Sequence, residues 1–298
     1  MRLEGFAPAK VNLTLHVGPP RSDGRHPLDS LVAFASVGDH LTVERAAPGV
    51  VDLQIAGRFG APLLDEPDNL VLAAARLLQT RCGSPGPGAV LRLQKELPLA
   101  SGIGGGSADA AAALRLLNRL WGTVVPNADL AAFAAPLGGD APACVLSRPL
   151  MMRGDGIEIT PIAMPELDAV LVNCGAQAPT KAVYAMFDQL GLGETLTPSP
   201  CGPWRDRSHL LDDLAIARND LETAAMLIAP GIADTLSFLN ALPEVILARL
   251  SGSGATCFAI VDDPEIALAI EDLIQDEQPS WWARAVRLGA VDVDPTPL

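Results

Sequence analysis

The sequence predicts an α+β protein of two domains, residues 1–158 and 159–298. Three observations lead there. Segments with period-2 alternation and segments with helical spacing both occur. They do not follow the strict strand–helix alternation of a doubly wound sheet. The chain has 298 residues, room for two domains of ordinary size. A chain this long can bury a core without disulfide or metal staples. The boundary is expected between Arg153 and Pro165.

In chain order, residues 11–17 (VNLTLHV) alternate and predict a strand. Residues 31–35 and 41–43 predict two short strands parted by a turn at Gly38-Asp39, and residues 50–55 predict another. Residues 69–82 have helical spacing, with Asp68 as N-cap and Gly83 past the end. Residues 83–88 read as a turn and 89–95 as a strand. Residues 107–121, rich in Ala and Leu, predict a helix stopped by Gly122. Residues 167–173 are a continuous apolar run, as in a buried strand. Residues 180–190, 219–228, 232–242 and 264–275 predict helices, and 256–261 a strand. Residues 191–207 hold several Pro and Gly and predict a loop. No internal repeat is present.

Composition narrows the function. The net charge of −14 opposes a surface that neutralises many phosphates, so nucleic acid is not expected as a partner. A polybasic membrane anchor is not expected either. Aromatics are 4% of residues, too few for a platform that stacks many bases. A small anionic substrate still fits if its site is locally positive. The start of the chain lacks the apolar stretch of a signal peptide, and no run is long enough to span a membrane. The five cysteines (Cys82, Cys144, Cys174, Cys201 and Cys257) include no C-x-x-C pair. They are expected as reduced thiols in a cytoplasmic protein.

The most informative segment is Leu97-Pro98-Leu99-Ala100-Ser101-Gly102-Ile103-Gly104-Gly105-Gly106-Ser107-Ala108-Asp109. A strand ending in Lys95 precedes it and a long helix follows. Glycines let a backbone adopt φ > 0 and approach a ligand closely. A helix N-terminus adds unpaired N–H groups and about half a unit of positive charge. Together they make a cradle for a di- or triphosphate. Ser107 can donate to a phosphate or ligate Mg²⁺. Asp109 falls in the first turn, where capping is the favoured role and facing a metal the alternative. The cradle is neither a Walker loop, since no Gly-Lys pair exists in the chain, nor a dinucleotide fingerprint, since Ser107 stands where the third glycine is needed. A second glycine segment, Ser251-Gly252-Ser253-Gly254-Ala255-Thr256, reads equally as a tight connection or as a backbone wall beside a reacting phosphate.

Phosphoryl transfer also needs a cation and a group that orients or deprotonates the acceptor. Only three lysines are present: Lys10, Lys95 and Lys181. Lys10 has apolar flanks. Asp140 stands in Leu137-Gly138-Gly139-Asp140-Ala141-Pro142, inside an apolar stretch. An isolated carboxylate is costly there, so a cationic partner is expected. With that partner it is suited to accept a proton.

Three separated motifs resemble the GHMP kinase superfamily, named for galactokinase, homoserine kinase, mevalonate kinase and phosphomevalonate kinase. The middle one is similar to its Pro-x-x-x-Gly-Leu-Gly-Ser-Ser type loop, with Ile103 for Leu. Six marks resemble the branch acting on 4-diphosphocytidyl-2-C-methyl-D-erythritol. They are Ala7-Pro8-Ala9-Lys10-Val11-Asn12-Leu13, Asp23-Gly24-x-His26, the stretch Gly102 to Ala111, Gly139-Asp140-x-Pro142, Asn219-Asp220-Leu221-Glu222 and Ser251 to Thr256. They are ordered as in that branch.

The resemblance implies an ATP-dependent kinase, with Mg²⁺, phosphorylating the 2-hydroxyl of that cytidine diphosphate substrate in non-mevalonate isoprenoid synthesis. It implies Asp140 as base and Lys10 as its charged partner, Pro98 to Ala108 as the ATP-phosphate loop, and Asn12, His26 and Thr180 as substrate contacts. It also implies a ribosomal-protein-like N-terminal domain and a site between the domains. The motif Asp23-Gly24-x-His26 separates this branch from homoserine and mevalonate-type kinases, which hold no cytidine. Retention of Lys10 and Asp140 argues against a silent nucleotide binder. Many members carry Tyr between Gly24 and His26, stacked on cytosine; this chain has Arg25. A guanidinium plane also stacks on a base, so Arg25 is expected on one face. Tyr184, the one tyrosine in the chain, is expected on the other face or in helix packing.

Overall fold

A computed structural model describes residues 1–298 apart from 65, 67, 68, 83–85 and 194. The first half runs β1 (Arg2–Asn12), β2 (His16–Val17), β3 (Leu28–Ala46), β4 (Val51–Ala56), α1 (Leu70–Gln79), β5 (Gly88–Gln94), α2 (Gly105–Trp121), α3 (Asn127–Ala134), α4 (Ala141–Leu146), β6 (Leu150–Gly154) and β7 (Glu158–Pro161). The second runs β8 (Leu167–Asn173), α5 (Thr180–Gln189), α6 (Arg207–Ile216), α7 (Glu222–Ile228), α8 (Gly231–Asn240), β9 (Leu247–Leu250), β10 (Thr256–Val261), α9 (Pro264–Glu277), β11 (Trp282–Gly289) and β12 (Thr296–Pro297). The α+β class expected from the sequence is the class observed. Among the described residues no helix is long and apolar enough to cross a membrane.

β3 is the spine of one continuous sheet. The main path is β12-β1-β3-β11-β8-β10-β9, and β2, β5 and β6 also pair with β3. All these pairs are antiparallel, and β4 adds to β5 in parallel. The two short strands expected around a turn at Gly38-Asp39 are therefore one strand of 19 residues. Gly38 is there for close approach rather than for turning. A Cβ on it would collide with the Ala7 carbonyl group, where the register of β1 against β3 shifts between Pro8 and Lys10. The first strand also differs from expectation. It ends at Asn12, and residues 13–15 leave the ladder before β2. From Ala7 onward β1 is buried on both faces, so its alternation fades where the site begins.

α2 lies across this sheet with nearly every side chain from Ala108 to Leu117 buried. Its alanines let β1 come close: a Cβ on Gly5 would lie 3.1 Å from Leu116. Leu114, Leu116 and Leu117 are fully buried, each worth about 1.5–3 kcal/mol. Gly122 ends the helix in the left-handed conformation its position suggested. α1 is capped by Asn69, whose side chain accepts from Val71 N. The expected cap Asp68 and the stop Gly83 lie outside the described residues.

One core cluster is built from residues of the first half under α1 and α2, and another chiefly from the second half around α5, α7 and α8. A third draws on both, joining Val11, Leu31 and Ile103 to Leu171, Phe258 and Trp282. That shared core sets β1 and the glycine segment against the second half.

Candidate active site

The glycine segment leaves β5 and turns back over β1. Ala100, Gly102 and Gly104 have φ of 48°, 76° and 64°, and the helix begins at Gly105. Residues 105–108 of the expected loop are therefore the first turn of α2. Lys10 N donates to the Ile103 carbonyl at 2.9 Å, pinning the segment to β1. Among the described residues, no protein acceptor takes the N–H of Gly102, Gly104, Gly105, Gly106 or Ser107. Such a row of free donors at a helix N-terminus is an anion cradle.

The second glycine segment backs the first. Thr256 N donates to the Ser101 carbonyl at 3.0 Å, and Ser251 Oγ to the Gly102 carbonyl at 3.1 Å. A Cβ on Gly102 would overlap the Ser251 carbonyl oxygen and stand 2.7 Å from Gly254 N. The segment is a tight connection, and Gly252 and Ser253 line a cavity.

That cavity, of about 250 Å³, contains Lys10, Asn12, Asp140, Thr180 and Tyr184. Lys10, buried on β1, donates to Asp140 Oδ1 at 2.9 Å. Asp140 precedes α4 but caps nothing with its side chain, which leaves the carboxylate to the cavity. A Cβ on Gly104 would lie 3.3 Å from Lys10 Cβ and 3.5 Å from Asp140 Oδ2, so the glycine segment passes directly over the pair. Asn12 donates from Nδ2 to Ser30 Oγ at 2.8 Å, while its buried Oδ1 has no partner among the described residues. A buried acceptor without a donor is costly, so a ligand donor would be favoured there. Thr180 Oγ1 lies 2.9 Å from Ser253 Oγ, closing the wall between α5 and the second glycine segment.

The remaining expected contacts divide. The Tyr184 phenol is pushed up to about 12, first by burial and then by the charge of Asp140. Its ring lies 5.1 Å from the ring of His26. His26 stands behind it, buried, with Nδ1 2.9 Å from the Gly18 carbonyl oxygen. Its Nε2 is 3.2 Å from Asp188 Oδ1, without hydrogen-bond geometry. Arg25 is not brought to the cavity: its side chain is 70% exposed and its Nη1 reaches Asp155 Oδ2 at 3.3 Å.

Beyond the glycine segment lies a second cavity of about 580 Å³, lined by Asn69, Leu70, Lys95, Leu99 and Gly106 among others. Lys95, a lysine with no role expected of it, is fully buried and donates to Asp39 Oδ2 at 2.5 Å and Asp109 Oδ2 at 2.7 Å. Asp39 also accepts from Glu96 N and Leu97 N. Lys95 thus ties the entry of the glycine segment, through Asp39, to the helix that leaves it, through Asp109. Asp109 is not the cap expected of it; its carboxylate belongs to this buried trio. Burial pushes the Asp109 carboxyl up to about 8, with Lys95 opposing and Asp39 adding. Burial alone would lower the Lys95 ammonium, but the charges of Asp109 and Asp39 outweigh it and raise it. Three lysines in 298 residues, one of them followed by an apolar loop, was the available signal.

Residues 69–148 match the model of the GHMP kinases N terminal domain, and residues 206–277 match that of the GHMP kinases C terminal. A 4-diphosphocytidyl-2-C-methyl-D-erythritol kinase of Hyphomonas neptunium is 47% identical over 298 residues, covering 97% of each chain. One of Gluconacetobacter diazotrophicus is 46% identical over 293 residues, covering 95% of this chain and 94% of the other. A crystal structure of 4-(cytidine 5'-diphospho)-2C-methyl-D-erythritol kinase superposes with a TM-score of 0.77 at 32% identity, covering 97% of this chain and all of the other. Homoserine kinase from Cytophaga hutchinsonii shares the fold, with a TM-score of 0.66 at 18% identity over 99% of this chain and 96% of the other. Matched over nearly its whole length at these identities, the chain belongs to the 4-diphosphocytidyl-2-C-methyl-D-erythritol kinase family of the GHMP kinases.

Proposed function

We propose that the protein transfers the γ-phosphoryl group of ATP to the 2-hydroxyl of 4-diphosphocytidyl-2-C-methyl-D-erythritol; the names of its relatives supply the substrate and the kinase activity. The observation that carries the reading is the Lys10–Asp140 pair directly beneath Gly104, where the cradle separates two cavities. The larger cavity takes the nucleoside of ATP, and the smaller takes the acceptor.

The acceptor hydroxyl oxygen forms the new bond to the γ-phosphorus. Its proton passes to the Asp140 carboxylate, and the bond to the β-phosphate oxygen breaks with its electron pair to ADP. Lys10 holds Oδ1, which turns Oδ2 toward the hydroxyl. The free N–H groups of residues 102–107 receive the charge spread over the phosphate oxygens. Asn12 Oδ1 accepts from a hydroxyl of the acceptor, Thr180 and Tyr184 flank it, and His26 steadies the Tyr184 ring.

No group of three His, Cys, Asp or Glu side chains among the described residues is arranged to hold a metal ion. Mg²⁺ is usually held by substrate phosphates and one or two protein carboxylates, with waters completing its shell. Ser107, whose hydroxyl takes part in no hydrogen bond among the described residues, would supply an oxygen to it. The ion would neutralise phosphate charge. The two units we propose, residues 1–158 and 159–298, meet inside β7, whose pairing with β6 ties its last residues to the first unit.

Purified protein is assayed for ADP and for the phosphorylated product with ATP and the cytidine substrate. Asp140→Asn keeps the shape but removes the proton acceptor. Turnover is expected to fall by roughly 10²–10⁴-fold while ATP still binds. Near-normal turnover would rule out Asp140 as the base.

A further inference from the structure

The stretch Asn219-Asp220-Leu221-Glu222 joins α6 to α7 and touches none of the reacting groups named above, yet its side chains are fully engaged. Asn219 is buried. Its Nδ2 donates to the carbonyls of Leu250 and Gly252, both at 2.8 Å, and its Oδ1 accepts from Leu221 N at 3.0 Å. Glu222 Oε2 accepts from Leu250 N at 2.9 Å. Asp220 Oδ2 accepts from Val17 N at 2.8 Å. The main chain pairs with Leu15 as well, by Leu15 N to the Arg218 carbonyl at 2.9 Å and Asp220 N to the Leu15 carbonyl at 2.8 Å. Leu15, Leu221, Gly252 and Ser253 all line the cavity of Lys10 and Asp140.

Gly252 has no room to move forward. A Cβ on it would lie 2.8 Å from the Gly102 carbonyl oxygen and 3.3 Å from Asn12 Oδ1. Its neighbour Ser253 meets Thr180. The Gly252 carbonyl is turned away from the cavity and held by Asn219. We infer that Asn219 is a positioning residue for phosphoryl transfer: its amide sets the Gly252–Ser253 wall against both the phosphate cradle and the acceptor side. The inference rests on the proposed transfer at Lys10 and Asp140. Only a planar amide offers two hydrogens to two carbonyls and an oxygen to a main-chain N–H. A carboxylate there would face two carbonyl oxygens with no hydrogen, and a protonated carboxyl would restore one bond.

The charged groups around this point are Arg218, Asp220, Glu222 and Arg249. Arg218 pairs with Asp220, and Arg249 is spent on the carbonyls of Leu13, Leu214 and Ala217. None stands between Asn219 and the Gly252 carbonyl.

The test compares wild type, Asn219→Ala and Asn219→Asp in the full chain, with urea unfolding beside kcat and both KM values at about pH 6 and pH 8. Asn219→Ala is expected to lose tenfold or more in kcat/KM for the acceptor, with KM for ATP within about twofold. Asn219→Asp is expected to be equally poor at pH 8 and to recover severalfold at pH 6 relative to wild type. Two results would overturn the inference: folded variants with wild-type kinetics, or an Asp variant with no recovery at pH 6. A wild type that does not phosphorylate the cytidine substrate would sink the functional reading and the inference with it. A wild type that does, beside unaffected variants, sinks the inference alone.

Discussion

Substituting Gly102 by alanine tests the contact between the two glycine segments. Gly102 has φ of 76°, a left-handed conformation that costs a residue with a Cβ about 1–2 kcal/mol. The new methyl would overlap the Ser251 carbonyl oxygen and lie 2.7 and 2.8 Å from Gly254 N and O. All three are backbone atoms and cannot rotate away. Overpacking of this kind costs about 1–3 kcal/mol. The sum, about 2–5 kcal/mol, is a large part of the 5–15 kcal/mol typical of a folded domain. If the segments part instead, the cradle moves off the Lys10–Asp140 pair. Loss of one aligned donor to a developing charge costs about 10²–10³-fold in turnover. Gly106→Ala is the control. Gly106 is helical, and its Cβ would meet only Leu70 Cδ1, at 3.4 Å. In a helix the change from Gly to Ala is worth roughly 0.5–1 kcal/mol in favour of Ala. Gly106→Ala is therefore expected to unfold in urea at or above the wild-type midpoint, with any kinetic effect confined to ATP. Gly102→Ala is expected to unfold at lower urea and turn over slowly. A Gly102→Ala protein as stable and as active as wild type would refute the reasoning.

Two further outcomes are expected. Asp109 has a carboxyl raised from 3.8 to about 8, chiefly by burial, so the folded state holds a proton the unfolded chain has lost between those values. Stability should fall as pH rises through that window, and Asp109→Asn should flatten the fall; equal wild-type urea midpoints at about pH 5, 7 and 9 would contradict this. Arg25→Ala should change KM for the cytidine substrate less than about threefold, because its exposed pair with Asp155 is worth about 0–1 kcal/mol. A tenfold rise that Arg25→Tyr reverses would show instead that Arg25 covers the base.

The local signals in the sequence were those with a chemical cause at one position. Gly122 as a helix stop, the glycines as a place for close backbone approach, and Asp140 as a carboxylate in need of a partner could all be read from neighbouring residues. What could not be read depends on residues far apart in the chain. Gly38 looks like a turn residue until Ala7 is seen pressing on it. Asp109 looks like a helix cap until Lys95, itself held by Asp39, is seen to claim its carboxylate. Arg25 can stack on a base in principle, but Asp155, 130 residues away, holds it at the surface. The strands β6 and β9 were missed because five and four residues are too few to show a period apart from the partners that order them.

The glycine segment stands between two chambers and lines both. Such a partition settles how the phosphoryl group must travel. With the nucleotide on one side and the acceptor on the other, as proposed, the acceptor oxygen reaches the γ-phosphorus beside Gly104 only when both ligands are seated. In the proposed transfer the Asp140 carboxylate, engaged by Lys10, accepts the proton and not the phosphorus. The transfer we propose is then a single displacement in a ternary complex. The phosphorus inverts once, and the protein never carries the group itself.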